Sequence, residues 1–414
     1  MIGGCASVAL LCSACGRIGF DKTSLDAAPD AARPADAAVS DAARLDAGEA
    51  GDSGAAACPA GSFCDASQIA AGTFHTCAVQ GARAVCWGAG TLGQLGDGAM
   101  TSRSAPVAVM LAARAIEVRA GDRHTCVRTG VGEVWCWGDN VGGQLGDGTT
   151  TASPLPVAVA GVTGATRLAL GGSHSCAEVA GGVLCWGLGT RGQLGDATMT
   201  SRSVAALVVG AIALPVRALC AGDLHSCVVD ASGAVSCWGA NLQGELGDGT
   251  LVDRSMPVAV SLPGPASDVV CGAHHSCAVL DSGAVWCWGR NVDAQLGDGT
   301  TTMRETPVAV TGLTEAAQAV AAGGLHTCAL GVSGDVRCWG GNASGQLGDG
   351  TGAPRATTGP VIVSGAGAVT AGQAHTCSIA AGAVRCWGDN AQSQLGDGTP
   401  TGRLAPVDVL APPP

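Results

Sequence analysis

The sequence contains no Tyr, three Phe and a single Lys, Lys22, among its 414 residues. Its 21 basic residues against 33 acidic ones give a net charge of -12. This balance argues against binding to a nucleic-acid backbone, because phosphate binding needs a basic face. Apolar residues nevertheless make up 47 % of the chain, which is ample for a packed core. We therefore expect a folded protein with no nucleic-acid partner.

The signature motifs of several enzyme classes are also missing. The sequence has no P-loop, no nucleophile elbow and no HExxH motif. An enzyme acting on polysaccharide would need a carboxylate pair in a central pocket, but the acidic residues mostly occupy repeated turns. We therefore expect no catalytic residue, no metal and no cofactor, and keep a carbohydrate-active or other enzyme as the alternative to a binding protein.

The first 15 residues, MIGGCASVALLCSAC, form a short apolar stretch, far below the roughly 18 residues of a membrane-spanning helix. They resemble a bacterial lipoprotein signal with Cys15 as the lipidated residue, although Cys12 replaces the usual Leu and no basic residue precedes the stretch. An irregular strand is the alternative. Residues 16–65 contain an Asp/Ala/Pro-rich tract with nothing to bury, which predicts a disordered tether.

Residues 66–410 consist of seven copies of one pattern about 50 residues long, followed by a tail at 411–414. Each copy has His, then Thr or Ser, then Cys, followed by Cys-Trp-Gly, a Gln-Leu-Gly-Asp segment and usually a Pro-Val strand. The repeat histidines are His75, His124, His174, His225, His275, His326 and His375. Four short β-type runs in each copy, seven times over, predict an all-β fold, a seven-bladed β-propeller.

The chain resembles the regulator of chromosome condensation repeat, in its alpha-tubulin suppressor-like form. Four features carry the resemblance: GxxHTC, the strand ending in CWG, the Asn-x-x-Gly-Gln-Leu-Gly segment and the Pro-Val strand. The resemblance covers about five-sixths of the chain and implies a seven-bladed propeller whose first strand, near Gln68-Ile69, completes the last blade. Eukaryotic members act in nucleotide exchange on a small GTPase and bind chromatin, and secreted bacterial members include a beta-lactamase-inhibitory protein. Copy three departs most, with Ala197 in place of Gly, so we expect its outer strand to be the least regular.

Each copy carries two cysteines nine or ten residues apart, on runs joined by a tight turn. Facing residues on antiparallel strands lie within disulfide reach, so we predict seven intrablade disulfides; buried thiols and metal ligands are the alternatives. The pairs are Cys77 with Cys86, Cys126 with Cys136, Cys176 with Cys185, Cys227 with Cys237, Cys277 with Cys287, Cys328 with Cys338 and Cys377 with Cys386. If export removes Cys5 and Cys12 and lipid occupies Cys15, the remaining cysteines are even in number, and Cys58 with Cys64 and Cys220 with Cys271 complete nine disulfides.

Residues present in every copy are interpreted as structural. We expect the histidines to hydrogen-bond the backbone rather than form a catalytic or metal-binding ring, and the seven Trp of Cys-Trp-Gly to pack between blades. In six copies an Arg follows the loop Asp by six residues, as in Asp248 and Arg254, which predicts an ion pair that staples the loop. The position two after Trp-Gly is Asn in five copies and Gly in two, which suggests a left-handed turn.

Function in a repeat protein is expected where the copies differ. The two positions before each repeat His and the position before the second Cys vary most. They supply the candidate binding residues Phe74, Asp122, Arg123, Trp135, Asp223, His274, Trp286 and Gln373; ordinary packing or solvated rim residues are the alternative. We expect an exported monomer that binds a protein, held at the membrane through lipid alone, as a surface or outer-membrane lipoprotein or a periplasmic protein.

Overall fold

The structure, a computed structural model, describes residues 61–412. The predicted signal, the tether up to residue 60, Cys15 and Cys58 lie outside these residues. The described chain forms the expected seven-bladed β-propeller, with four antiparallel strands in each blade. It contains no helix long and apolar enough to cross a bilayer.

The strands, numbered β1 to β28 along the chain, are Ala66–Ala71, His75–Gln80, Arg83–Gly88, Arg103–Ala108, Ala115–Ala120, His124–Thr129, Val134–Gly138, Ser153–Ala158, Arg167–Leu170, His174–Val179, Gly182–Gly187, Arg202–Leu207, Ala218–Ala221, His225–Val229, Val235–Gly239, Arg254–Val260, Ala266–Cys271, His275–Leu280, Val285–Gly289, Arg304–Ala309, Ala317–Ala322, His326–Gly331, Val336–Gly340, Val361–Val363, Ala366–Ala371, His375–Ala380, Ala383–Gly388 and Arg403–Asp408. Consecutive groups of four strands form blades one to seven. Every repeat His begins the second strand of its blade, so the preceding loops meet at one face of the ring, which we call the mouth.

The closure of the ring differs from the expectation that the resemblance implied. Strand β1 pairs with β2 inside blade one, so it does not complete blade seven. The chain just before β1 joins the last blade instead: Phe63 N donates to Val409 O at 2.8 Å, and Val384 N donates to Phe63 O at 3.2 Å. Phe63 is fully buried in the cluster that packs blade one against blade seven.

Adjacent blades pack through the repeated Trp, as predicted. Trp339 is fully buried, and its cluster is completed by Leu296 and the blade-five disulfide partners Cys277 and Cys287. The loop that covers this Trp contains Gly297 at φ +67°, and a Cβ at that position would lie 2.6 Å from Trp339 Nε1. The Gly of Leu-Gly-Asp is therefore required both by backbone conformation and by close approach.

The least regular outer strand is in blade six rather than in blade three. Strand β12 in blade three has six residues and pairs with β11, and Ala197 adopts φ +65° where the other copies have Gly. In blade six, β24 has three residues and a register shift. Pro360 immediately precedes β24, and a proline has no N–H to donate to the ladder.

Candidate binding cleft between blades four and five

The two cysteines of each copy lie directly opposite each other on the second and third strands, and they form the predicted intrablade disulfides. In blade one, Cys77 faces Cys86 with 4.1 Å between the two Cα atoms. The same bond is present in the other six blades, where it joins Cys126 to Cys136, Cys176 to Cys185, Cys227 to Cys237, Cys277 to Cys287, Cys328 to Cys338 and Cys377 to Cys386.

Two further predicted disulfides lie outside the repeat pattern. Cys220 and Cys271 form a disulfide between blades four and five, as expected. Cys64 is also disulfide-bonded, and its predicted partner Cys58 lies outside the described residues. So many disulfides indicate a protein outside the cytoplasm.

The repeat histidines connect neighbouring blades rather than bonding to the backbone, so that expectation is wrong. His326 Nε2 lies 2.8 Å from Thr376 Oγ1 in the next blade, and Thr376 Oγ1 lies 2.8 Å from Gln346 O. Because the single hydroxyl proton is donated to the carbonyl, the hydroxyl must accept from the ring, which fixes the neutral tautomer with its proton on Nε2. The same contact occurs at all seven interfaces, ending with His375 and Thr76.

Burial holds these rings neutral. All seven are at most 1 % exposed, and desolvation lowers their pKa to about 3, or to about 4 for His225 and His375. In six of the rings, all but that of His225, Nδ1 is a fully buried atom without a hydrogen-bond partner within the described residues. They are suited to holding blades together and unsuited to exchanging protons with a substrate.

The predicted loop ion pair is present in all six copies that contain the Arg. In blade four, Arg254 Nη2 lies 2.9 Å from Asp248 Oδ2. Partial burial alone would raise the pKa of Asp248, but hydrogen bonds from Thr250 and Arg254 outweigh it and lower the pKa.

The interpretation of the Asn position as a left-handed turn is wrong, because none of the five Asn residues has a positive φ. Asn291 instead braces the loop through its side chain. Its Nδ2 donates to Asp298 Oδ1 at 3.1 Å and to the carbonyl of Thr302, and its Oδ1 accepts from Leu296 N. In blade one, Gly90 occupies the equivalent position, and the carbonyl of Thr101 lies where a Cβ would be.

One of the seven interfaces departs from the repeat in several ways at once. Between blades four and five, Glu245 replaces the repeated Gln, His274 stands where blades four and six have Leu, and Cys220 is bonded to Cys271. Asp223 lies on the neighbouring mouth loop of blade four. Glu245 and His274 line a cavity of about 320 Å³, which we call the four–five cleft, and Asp223 lies beside His274.

The chemistry of the cleft centres on His274. Its Nε2 lies 3.7 Å from Asp223 Oδ2, and its Nδ1 lies 3.7 Å from Glu245 Oε1. The Glu245 side chain is only 4 % exposed, while the walls include Leu224 and Leu242. An ionisable network at the base of an apolar cavity is typical of a binding site.

The ionisable groups of the cleft act on one another. The nearby carboxyl groups of Glu245, first, and then Asp223 raise the pKa of His274 above its ordinary value. Burial and the nearby carboxylate of Asp122 raise the pKa of Asp223 to about 7. The two arginines of the cleft are each paired with an acid outside this network, Arg191 with Asp253 and Arg290 with Asp293.

The central channel offers much less room than the cleft. At the mouth, the loops before the repeat histidines enclose about 70 Å³ between small residues, with Thr73, Asp122, Asp223 and Gln373 as the larger side chains. Thr73 Oγ1 donates to Asp122 Oδ1 at 2.6 Å. A volume of this size holds a few waters, whereas ligand pockets enclose about 300 to 1,000 Å³.

The candidate residues separate into two groups. Phe74, Asp122, Arg123, Asp223, His274 and Gln373 all lie on mouth loops. Trp135 and Trp286 lie within the third strands of blades two and five and are half-buried. Trp286 packs against the buried cluster between blades four and five, as do Val258 and Leu262 of blade four. The structure therefore does not bring the two Trp to the mouth.

Sequence reasoning missed Glu245, Leu242 and the two arginines as cleft residues. Glu245 carried a usable signal, because it is the only departure from Gln at that position in seven copies. Its significance depends on facing His274, which is 29 residues further along the chain and in the next blade.

Two family models, both described as the regulator of chromosome condensation (RCC1) repeat, match the chain. One matches residues 85–128, 131–177, 232–279 and 282–330, and the other 115–144, 216–245, 266–295 and 317–346. The chain belongs to the RCC1 repeat family. Apart from Arg191, the residues that line the four–five cleft lie inside the matched RCC1 repeats, so the cleft is a local departure within the array.

Solved RCC1-like propellers share this fold. Human WBSCR16 is 20 % identical and has a TM-score of 0.71, over 79 % of this chain and 93 % of that one. Prp20p from Saccharomyces cerevisiae, in a study of its binding to Gsp1p and histones, is 19 % identical with a TM-score of 0.67, over 74 % of this chain and 80 % of that one. Yeast RCC1 (Prp20) bound to Kap60 is 20 % identical with a TM-score of 0.68, over 84 % of this chain and 85 % of that one. No curated protein sequence matches this chain.

Proposed function

We propose that this propeller is an exported binding module of the cell envelope that uses the four–five cleft to hold a basic side chain of a protein partner. The observation that carries the proposal is the concentration of departures from the repeat, Glu245, His274 and the Cys220–Cys271 disulfide, at one of seven otherwise equivalent interfaces. Loops on a rigid scaffold are a common place for recognition.

The two carboxyl groups beside His274 favour a cationic group. Asp223 and Glu245 both lie beside His274, while both arginines have other acidic partners. A Lys or Arg entering from a partner would neutralise the repulsion between these carboxylates, and its alkyl stem would contact Leu224 and Leu242. A buried charge-assisted pair of this kind contributes mainly to specificity.

Export is supported by the disulfides, which persist in oxidising compartments. Attachment through lipid at Cys15, followed by the tether, would leave the propeller free to reach partners near a membrane; both features belong to the proposal. Among the structural neighbours, Prp20p is described by its binding to Gsp1p and histones and has also been solved bound to Kap60. Those proteins support protein binding as the general role. They do not identify the partner of this chain.

Catalysis in the central channel is the weaker alternative. Asp122 and Asp223 both reach the mouth, but the cavity between the loops measures about 70 Å³, which is too small for a sugar ring and its attacking water.

The test restores the ordinary repeat at the cleft. Glu245→Gln with His274→Leu reproduces the Gln295 and Leu325 pair of the next interface, so the variant is expected to fold. Full-length protein and variant are used to capture partners from envelope extract with quantitative mass spectrometry. We expect at least one protein to be captured by the wild type and lost by the variant. Identical captured sets would contradict the proposal.

The charge preference is tested separately with a defined probe. A short glycine–lysine peptide is titrated into the protein while the ring signals of His274 are followed by NMR. We expect the lysine peptide to shift them and the matched acetyl-lysine peptide not to. Equal responses to the two peptides would exclude recognition of a cation in the cleft.

A further inference from the structure

We infer that Cys220 and Cys271 form a thiol–disulfide exchange site, at which small thiols entering the channel open the interblade bond and Cys220 then exchanges with the disulfide of blade four. These two cysteines are the only described ones inside the propeller strands that the repeat does not require. They are not at equivalent positions of their copies, since Cys220 precedes its repeat His by five residues and Cys271 by four.

Cys220 has two sulfur partners within reach. It is bonded to Cys271 in blade five, and it also lies directly opposite Cys227 on the next strand of its own blade. Cys227 in turn lies opposite Cys237, to which it is bonded. The Sγ atoms of Cys220, Cys227 and Cys271 all lie within 4.8 Å of one another. An attacking thiolate at Cys220 is therefore already placed beside the Cys227–Cys237 bond.

The interblade disulfide is also the more accessible one. Cys220 and Cys271 are half-buried and line a channel cavity of about 170 Å³, and Cys271 lines the mouth cavity as well. The fourteen repeat cysteines are at most 1 % exposed. Because thiol exchange requires direct approach to a sulfur atom, a small thiol should reach Cys271 before any intrablade bond.

The proposed exchange proceeds in three balanced steps. An external thiolate attacks Cys271 Sγ, the Cys220–Cys271 bond breaks, and Cys220 leaves as a thiolate. That thiolate attacks Cys227 Sγ, which forms Cys220–Cys227 and releases Cys237 as a thiolate that takes up a proton. A second external thiol resolves the mixed disulfide, leaving Cys271 as a thiol. Two external thiols are oxidised to one disulfide, and one protein disulfide is reduced to two thiols.

The site lies where it can control the cleft. Asp223 follows Cys220 by three residues and His274 follows Cys271 by three, so the bond ties together the two loops whose side chains meet at 3.7 Å. Opening it should allow these loops to separate. This consequence for binding rests on the proposed function, whereas the exchange itself does not.

Disulfide mapping tests the exchange on the full-length protein. The protein is treated with increasing dithiothreitol, trapped with iodoacetamide and analysed by mass spectrometry. We expect Cys271 to be alkylated at concentrations that leave the blade-one and blade-six bonds intact, together with a fraction that carries Cys220–Cys227 and alkylated Cys237. Simultaneous reduction of the interblade and intrablade disulfides would refute preferential opening.

Two variants isolate the second step. Cys271→Ser should yield a mixture of Cys220–Cys227 with free Cys237 and Cys227–Cys237 with free Cys220. The control, Cys220→Ser with Cys271→Ser, should show only Cys227–Cys237. If Cys271→Ser also contains only Cys227–Cys237, exchange within blade four is refuted.

The effect on the cleft is measured without any partner. In the double Ser variant the pKa of His274, followed by NMR, should fall back toward 6.5 as Asp223 and Glu245 move away. An unchanged pKa would refute control of the cleft by the disulfide. Since this readout and the disulfide map need no binding partner, failure of the proposed function would leave both results interpretable.

Discussion

The seven buried histidines predict a strong loss of stability between pH 7 and pH 5. Each ring is neutral in the folded protein, with its pKa lowered by burial to about 3 or about 4. In the unfolded chain the same ring has a pKa of about 6.5. Because the folded-state pKa is the lower one, the unfolded chain binds more protons below pH 6.5. Stability is therefore fully present above that pH and is lost as the pH falls.

The size of the effect follows from the unfolded state alone. At pH 5 the free energy of protonating one unfolded histidine is RT ln(1 + 10^1.5), or about 2 kcal/mol. The folded-state pKa has little influence on this free energy, because the buried rings are still neutral at pH 5. Seven rings together give about 14 kcal/mol, comparable with the roughly 5–15 kcal/mol of a typical domain. Near pH 5 the unfolding free energy should change by about 9 kcal/mol per pH unit.

The other groups with shifted pKa values act below this window or oppose the histidine effect. The loop aspartates, such as Asp248, have lowered pKa values, and their stabilisation is lost only as the pH falls below the ordinary value of 3.8. Asp223 and His274 have raised pKa values, so they contribute stability at low pH that is lost as the pH rises. Their contribution therefore opposes the effect of the seven repeat histidines.

The assay is guanidinium unfolding followed by Trp fluorescence, with the disulfides intact, at closely spaced pH values from 7 to 5. His326→Gln keeps a donor for Thr376 but removes one titrating ring, so its pH slope should fall by about 1.4 kcal/mol per unit. His274→Gln is the matched control and should leave the slope equal or steeper. Uptake of two protons or fewer on unfolding would refute the assignment of seven neutral buried rings.

Three further predictions concern the repeated loops. Arg254→Met should speed amide hydrogen exchange in the loop that Asp248 staples, with the naturally Arg-free loop of blade two as comparison; unchanged protection would exclude a staple. Asn291→Ala removes several loop hydrogen bonds and should lower the unfolding free energy by about 3 kcal/mol in denaturant titrations. A loss under about 1 kcal/mol would show that the loop keeps its conformation without the Asn291 side chain. Gly297→Ala places a Cβ against Trp339 at positive φ and should cost about 2 to 4 kcal/mol by the same measurement; a neutral result would show that the loop can shift away.

The fold and its covalent links were accessible from sequence because they depend on local geometry. Two facing cysteines, such as Cys77 and Cys86, are fixed in register by the turn between their strands, and that turn can be read directly. The Asp248 and Arg254 pair likewise lies within one loop. Seven copies of each pattern then reduce the chance that any of them is accidental.

Hydrogen bonds between blades were not accessible in the same way. The partner of His326 is Thr376, in the following copy, and a repeat reports only that both residues recur, not that they meet. The Asn position shows a second limit, since alternation of Asn and Gly is compatible with positive φ and also with the side-chain brace that Asn291 makes. Ring closure by Phe63 depends on residues that precede the repeat altogether.

The seven interfaces also provide an internal energetic comparison for the cleft. At the next interface Gln295 and Leu325 fill the equivalent positions, and the repeat folds there without a charge. Glu245 instead buries a carboxylate, which costs free energy unless strong partners compensate. Its 2.8 Å hydrogen bond from Gln243 N has a counterpart in the bond from Asp293 N to Gln295 Oε1, and the nearest ring nitrogen of His274 is 3.7 Å away. Its exchange for Gln should therefore be neutral or stabilising, as is common where function opposes stability. A residue that the fold would do as well without is best explained by what it binds.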